Sequence, residues 1–180
     1  TYVQVNHNDL TNKAYVESVS GNDIKRTKNN VGYIPILFKA SDNRVGFEVS
    51  ASSFYPENYP YYAFSDRHEW TTNGEVENVW IKIKCPTAVA FWQFHLRGRL
   101  NSSVGRIYNQ LFEGSNDDIN WTTLYSTANT YITTTQYFTI PTENTVNKYL
   151  YFRVYVIAYL FPGLTAFQIY TLDKKFNLMQ

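Results

Sequence analysis

The chain has 180 residues, of which 44% are hydrophobic and 17% charged, with a net charge of +1. That balance excludes a disordered tail, and so small a net charge excludes field-driven recruitment to nucleic acid or to an anionic membrane surface. The single cysteine, Cys85, excludes an intrachain disulfide and a cysteine-built zinc site, and no apolar run reaches the roughly 20 residues of a membrane helix. Aromatic residues make up 18% of the chain, with 16 Tyr, 12 Phe and 4 Trp. Such an excess fits a strand-rich core with tyrosines at its rim, or rings that face a ligand.

In chain order, Thr1 to Val5 alternates weakly, Asn6 to Asn12 is polar, and Ala14 to Val19 suits a helical turn or two. Asn22 to Gly32 reads as a polar, basic loop. From about Pro35 onward the sequence reads as strands separated by turns. Ile36 to Ala40 and Val45 to Val49 are strand-like, and Asp42-Asn43 between them suggests a hairpin. Ser50 to Tyr62 holds two prolines and four tyrosines and cannot be a regular strand. Val79 to Ile83 is the next strand, broken by Cys85-Pro86. Ala88 to Leu96 alternates, with Ala90, Trp92, Phe94 and Leu96 on one face and Val89, Phe91, Gln93, His95 and Arg97 on the other. Ile107 to Glu113 follows, then a turn over Gly114 to Asp118 in which Gly114 supplies conformational freedom. Thr122 to Tyr125 and Gln136 to Ile140 are strands. Tyr149 to Tyr159 places Leu150, Phe152, Val154, Val156 and Ala158 on one face. Phe161-Pro162-Gly163 turns the chain, and Ala166 to Leu172 closes the set.

These elements predict an all-β fold, an antiparallel β-sandwich or jelly roll of about eight strands with a short N-terminal extension. Residues 1–43 form the extension and residues 44–180 the sandwich. Trp70, Trp80, Trp92 and Trp121 are expected in the core, with Trp121 returning past its turn to cap the sandwich. Cys85, before a proline, is expected to be a small buried hydrophobe rather than a nucleophile.

Signals for catalysis are weak. His7, His68 and His95 have no metal-ligand spacing, and no nucleophile-elbow, Walker or zincin pattern occurs. A chance pair of carboxylates leaves a glycosidase as a minor alternative, but the expectation is a binding module and not an enzyme.

Three ordered stretches carry a resemblance. Val49-Ser50-Ala51-Ser52-Ser53 leads to Tyr62-Ala63-Phe64-Ser65-Asp66 and Trp70. Val79-Trp80-Ile81-Lys82-Ile83 precedes a proline and the strand ending Leu96-Arg97-Gly98-Arg99. Then comes Phe112-Glu113-Gly114-Ser115-Asn116-Asp117-Asp118-Ile119-Asn120-Trp121-Thr122-Thr123-Leu124, with Tyr151-Phe152-Arg153-Val154 later. Taken together, Phe47 to Asp173 resembles the discoidin domain, also called the coagulation-factor C-type or galactose-binding-like domain. The resemblance implies a jelly roll with a sugar site on loops at one end: Phe54 to Tyr62, Asp66 to Glu69, Arg97 to Ser102 and Tyr159 to Leu164. In many sugar-binding members the second of these loops helps hold a structural calcium. Here Ser65-Asp66 is followed by Arg67-His68-Glu69, which departs from that pattern, so calcium is doubtful and no cofactor is expected. The cysteines that staple many animal members are absent, which points to a microbial or viral relative.

A sugar presents hydroxyls and flat apolar faces, so its site needs rings to stack on and fixed donors and acceptors. Tyr59 and Tyr61 are candidate platforms, alternatively rings that pin the prolines inward. His68 is a candidate donor, alternatively an exposed loop residue. Arg97 and Arg99 offer rigid donor forks, alternatively structural ion pairs. Asn101 could add an amide beside them, and Phe161 a ring that either stacks on the ligand or plugs the core.

A second resemblance lies in Asn8-Asp9-Leu10-Thr11-Asn12-Lys13-Ala14-Tyr15-Val16-Glu17, which is similar to a segment common in phage tail-fibre proteins. It implies a homotrimeric virion tip, located on a tail fibre or spike, that attaches to host-surface glycan without inserting into membrane. Shallow sites of this kind gain avidity by repetition. The alternatives are a carbohydrate-binding module of a larger secreted, extracellular glycosidase and a purely structural virion protein.

Overall fold

The computed structural model describes residues 32–33, 37, 40–42, 46–65, 68–74, 77–99, 107–127, 131–132, 134–157 and 162–171. The helical turn expected at Ala14 to Val19, the fibre-like segment Asn8 to Glu17, and most of the strand expected at Ile36 to Ala40 lie outside these residues.

Among the described residues thirteen strands follow one another, eight of them five residues or longer. They are β1 (Gly32–Tyr33), β2 (Ser41–Asp42), β3 (Phe47–Ala51), β4 (Trp70–Thr71), β5 (Val79–Val89), β6 (Phe91–Gly98) and β7 (Ile107–Tyr108), then β8 (Gln110–Ser115), β9 (Thr122–Ser126), β10 (Tyr131–Ile132), β11 (Thr135–Thr139), β12 (Tyr149–Val156) and β13 (Gly163–Thr171). One sheet has the order β2-β3-β5-β12-β8-β9. The other is β1-β13-β6-β11, with β4 also paired to β13, and β7 and β10 form a separate small ladder. All pairings are antiparallel. The expected all-β sandwich of about eight main strands is the fold.

Alternation explains the two layers. In β5 Val79, Ile81, Ile83 and Cys85 are buried, and in β12 Phe152, Val154 and Val156 are; their neighbours along each strand are half-buried. These residues meet Phe94, Leu96, Phe167 and Ile169 of the facing sheet in one core. Rings dominate it: Phe94 stacks on Phe112 at 4.3 Å, and Phe91 meets Phe152 edge-on at the same distance. Each fully buried side chain of this size contributes roughly 1.5–3 kcal/mol. The smaller Cys85 is buried in the same core, and burial pushes its thiol pKa up, so it packs as a hydrophobe.

The single alternating strand expected from Ala88 to Leu96 is two strands. β5 ends at Val89, Ala90 turns the corner, and β6 begins in the opposite sheet. Both sheets face the same core, so the inward parity resets: Val89 and Phe91 are core residues along with Phe94 and Leu96. A register shift between Tyr170 and Thr171 absorbs the extra residue, and Trp92 lies outside the core cluster, near Tyr170. Nor does Cys85-Pro86 end β5. The β3 ladder stops at Lys84, and β12 slips register between Tyr149 and Tyr151, so Pro86 occupies a bulged stretch where its missing N–H costs little.

Of the four tryptophans Trp70 belongs to the core cluster, and Trp92 is buried beside it at 7% exposure. Trp121 does not cap the core. It lies half-buried where the Arg153 guanidinium sits 4.0 Å from its ring centre, and Arg153 is also paired with Glu113 at 2.6 Å. Trp80 is half-buried, with the Lys82 ammonium 4.8 Å from its ring. Indole faces pay for partial exposure with cation contact here.

Gly114 lies within β8 rather than in the turn, which spans 116–120. It has no positive φ; its requirement is space. A Cβ there would stand 2.6 Å from Cδ2 of the Tyr149 ring. Gly114→Ala is therefore expected to cost about 1–3 kcal/mol through overpacking, measured by urea unfolding. Wild-type stability in that variant would show the ring to be movable.

The turn itself is tied by Asp117. Its Oδ1 accepts the backbone N–H groups of Ile119 and Asn120 at 3.0 and 2.8 Å, and Oδ2 accepts the Asn120 amide at 2.7 Å. The Asn120 backbone donor, first among these, holds the Asp117 carboxyl well below its ordinary range. A carboxylate depressed in the folded state stabilises above its unfolded pKa, and that contribution falls away as pH drops below it. Asp117→Ala is expected to lower the melting temperature at pH 7 and to shrink the difference between pH 7 and pH 3, as read by thermal melts at both.

The two poles of the sandwich follow from the registers. Ala51, Val79, Gln110 and Val156 line up at one end of the first sheet. Because β5 descends from that end and β6 climbs back, Gly98 marks the same pole of the second sheet, with Leu164 opposite it and Gly163 beside Thr71. At the other pole Gly32 is paired with Thr171, so the chain enters and leaves the described sandwich side by side.

Candidate functional site

The pole marked by Ala51, Gly98 and Gly163 carries a loop, residues 52–59, a 3-10 turn, Pro60–Phe64, and the short strand β4. Prolines at 56 and 60 keep this stretch out of the ladders. Instead it is tied down from several sides. Ser52 donates its backbone N–H to the Trp80 carbonyl at 3.0 Å and accepts the Trp80 N–H on Oγ at 2.9 Å. The Tyr55 N–H donates to the Thr71 carbonyl at 2.7 Å, and the Asn58 side chain donates to Thr71 Oγ1 at 2.7 Å. Trp70, fully buried, donates its indole N–H to the Ser53 carbonyl at 3.0 Å. The loop therefore hangs on a core tryptophan.

Its tip is a reverse turn closed by the Asn58 N–H on the Tyr55 carbonyl at 2.9 Å, with Pro56 and Glu57 between and Glu57 at φ 72°. This is the geometry of a type II turn, which favours glycine at Glu57's position. Holding a glutamate there is a local strain that the surrounding hydrogen bonds support.

The loop displays rings. Phe54, Tyr55 and Tyr59 are 44%, 53% and 42% exposed. Phe54 and Tyr59 lie 5.8 Å apart, and Tyr59 stacks against Tyr61 at 6.0 Å with an interplanar angle of 16°. Tyr61 is half-buried against the core edge, so it supports the outer rings more than it adds open surface. Tyr62 meets Tyr59 edge-on at 5.7 Å, and His68, exposed, packs its ring 5.0 Å from Tyr62. Both sequence candidates on this loop, Tyr59 and Tyr61, thus belong to one continuous cluster with His68. Of the alternatives for the tyrosines, the outward one describes Tyr59 and the inward one largely describes Tyr61. Phe54 belongs to the same surface; its signal was an apolar ring in a proline-flanked loop.

The arginines divide. Arg99 is held by Glu69 through two contacts, Nε to Oε2 at 2.8 Å and Nη2 to Oε1 at 2.7 Å, a bidentate pair in which both side chains keep more than a quarter of their surface exposed. Gly163 makes room for it, since a Cβ there would lie 3.1 Å from Arg99 Cδ and 2.7 Å from the Trp70 carbonyl. Arg97 donates Nε–H to Thr165 Oγ1 at 2.8 Å. Thr165 is the extra residue at a bulge between Leu164 and Ala166, and its hydroxyl also approaches the Arg97 and Gly98 carbonyls at 3.2 and 3.1 Å. Glu69 follows His68 in the chain, so Tyr59, Tyr62, His68, Glu69 and Arg99 form one connected surface, with Arg97 two residues before Arg99 along the strand end. Asn101 and Phe161 lie outside the described residues, as do Asp66 and Arg67 of the loop considered for calcium. Among the described residues no group of three His, Cys, Asp or Glu side chains could hold a metal ion.

Chemically this pole offers an open aromatic surface beside rigid donors. Rings accept apolar sugar faces or other flat groups; the remaining N–H groups of Arg99 and the His68 ring offer hydrogen bonds.

Comparison with known proteins bears on the family and the fold. The sequence signature of the F5/8 type C domain matches residues 48–160, more than half of the chain. No curated protein sequence matches the chain. Among solved structures, a Clostridium perfringens module, CpGH89CBM32-5, solved in complex with GalNAc-β-1,3-galactose, superposes with a TM-score of 0.61 at 14% identity, covering 69% of this chain and 95% of its own. The family 32 carbohydrate-binding module of C. perfringens NanJ, solved with galactose, gives 0.58 at 12% identity over 69% and 93%. Chitosan-binding module 1 of a chitosanase/glucanase from Paenibacillus sp. IK-5 gives 0.57 at 22% identity over 71% and 96%. At these identities the likeness is one of fold.

Proposed function

The chain belongs to the F5/8 type C domain family, and from that premise we propose that it is a non-catalytic carbohydrate-binding module whose ligand docks on the pole formed by the 52–62 loop, His68 and the start of β4. The observation that carries this reading is the exposed ring surface of Phe54 and Tyr59 beside Arg99, anchored rigidly to Trp70 and β4. Sugar-binding sites need this combination of a preformed flat apolar surface and fixed donors. The structurally similar modules that were solved with galactose-containing ligands support the same ligand class.

A module acting beside a glycosidase, in a secreted protein, fits these comparisons better than the tail-fibre tip that the segment Asn8 to Glu17 suggests, because the similar structures are modules of glycoside-processing enzymes. That segment lies outside the described residues and supports the fibre reading by sequence likeness alone. The two assemblies differ in stoichiometry: light scattering gives a monomer for the module and a trimer for the fibre tip. The binding reading is tested by a glycan array with the purified chain. Retention of galactose-type or amino-sugar glycans is expected, and no retention of any carbohydrate would overturn it.

A further inference from the structure

The ion pair between Glu69 and Arg99 bears on which carbohydrates this pole accepts. A guanidinium has five N–H donors in a planar fork, and two of its edges, Nε with Nη2 and Nη1 with Nη2, match a carboxylate. In Arg99 an edge is already filled: Nε and Nη2 are both engaged by the two Glu69 oxygens, at 2.8 and 2.7 Å. Glu69 supplies from within the chain the group that an acidic sugar would otherwise bring. The donors left over are the far edge, formed by one N–H each of Nη1 and Nη2, and one further N–H on Nη1, and the positive charge behind them is already balanced by Glu69. The Glu69 carboxylate keeps 27% of its surface exposed beside His68, where it repels an incoming anion. The pair lies in the same connected surface as the ring cluster, since His68, adjacent to Glu69 in the chain, packs on Tyr62 and Tyr62 on Tyr59.

From this geometry we infer that Glu69 is a specificity-determining residue that sets the site against carboxylate-bearing glycans and in favour of neutral ones. The inference rests on the carbohydrate-binding reading above and narrows it to a substrate class.

The test compares paired glycans that differ by one acidic residue, such as lactose and its sialylated form, across wild type, Glu69→Gln, and the double variant Glu69→Gln with Arg99→Gln, each checked for folding by thermal melt. The readout is the ratio of neutral to acidic affinity. Wild type is expected to favour the neutral member at least tenfold. Glu69→Gln, which leaves Arg99 charged and its fork open, is expected to lower that ratio about tenfold. Removing Arg99 as well is expected to bring the ratio back to the wild-type level, a reversal that loss of local structure would not produce. A wild type that binds acidic glycans equally or better, or a ratio unmoved in Glu69→Gln while glycans still bind, overturns the inference and leaves the carbohydrate reading standing. Failure of every variant to bind any glycan overturns both.

Discussion

Trp70→Ala is expected to destabilise the domain by about 3–5 kcal/mol, the range for truncating a buried large aromatic ring, and to abolish glycan retention even at temperatures where the variant remains folded. The side chain is fully buried, so its removal leaves a cavity bordered by core side chains. A domain of this size has some 5–15 kcal/mol of stability in total, so the loss consumes a large part of it. The effect on binding has a separate cause. The indole N–H donates to the Ser53 carbonyl, and the Ser53 hydroxyl in turn accepts the Asn73 N–H at 3.0 Å. Two residues on, Tyr55 is bonded to Thr71, Trp70's neighbour in β4. Without the indole, the start of the ring-bearing loop loses its anchor to the core. Trp70→Phe separates the two contributions: it retains most of the apolar contact and deletes the donor, leaving Ser53 unmatched. Its expected cost is about 1–3 kcal/mol, the penalty for an unpaired buried polar group. Chemical denaturation measures the stabilities and calorimetric titration the binding. Wild-type affinity in folded Trp70→Phe would show that the loop does not depend on this bond.

Tyr59→Ala is expected to weaken glycan affinity about tenfold, equivalent to about 1.4 kcal/mol, while moving the melting temperature little. Tyr59 is the central ring of the exposed cluster, touching Phe54, Tyr61 and Tyr62, and it is 42% exposed, so little core packing is lost with it. Tyr59→Phe retains the flat surface and is expected to keep most of the affinity, because stacking uses the ring and not the hydroxyl. Titration calorimetry with the glycans retained on the array provides the measurement. A Tyr59→Ala variant that binds as wild type would move the site away from this loop.

Much of the sandwich was legible in the sequence because period-two alternation is a local property. β3, β9, β11 and β12 fall within a few residues of their expected positions, and Phe152, Val154 and Val156 face inward as the pattern requires. The misreadings share a physical origin. Ala88 to Leu96 alternates without interruption, yet the chain changes sheets at Ala90, and a pattern that measures parity along one strand cannot register a corner. Gly114 looked like a turn residue because glycine beside Asn and Asp usually is one; the Tyr149 ring that demands its small size is 35 positions away in the sequence. Hydrophobicity points the tryptophans inward, whereas Trp121 lies beside Arg153 of another strand, which only the register brings near, and Trp80 beside Lys82 two residues along its own strand.

The candidate site shows the same division. Rings in a proline-rich loop are visible in sequence, which is why Tyr59, Tyr61 and His68 could be named. That Arg99 would find Glu69 across 30 residues could not be read, since the pair exists only because β4 and the end of β6 both flank the start of β13. Arg97 and Arg99 looked equivalent around Gly98. One is bonded to a threonine at a bulge and the other to a carboxylate, a difference created by their cross-strand neighbours.

The pairing of Gly32 with Thr171 has an architectural consequence. Both points of attachment leave from the pole opposite the ring-bearing loop, so the sandwich can be spliced into a longer polypeptide like a bead held by adjacent strings. Neighbouring parts of such a polypeptide would approach it from behind, and copies placed in series could all turn the ring-bearing pole outward without changing their internal structure.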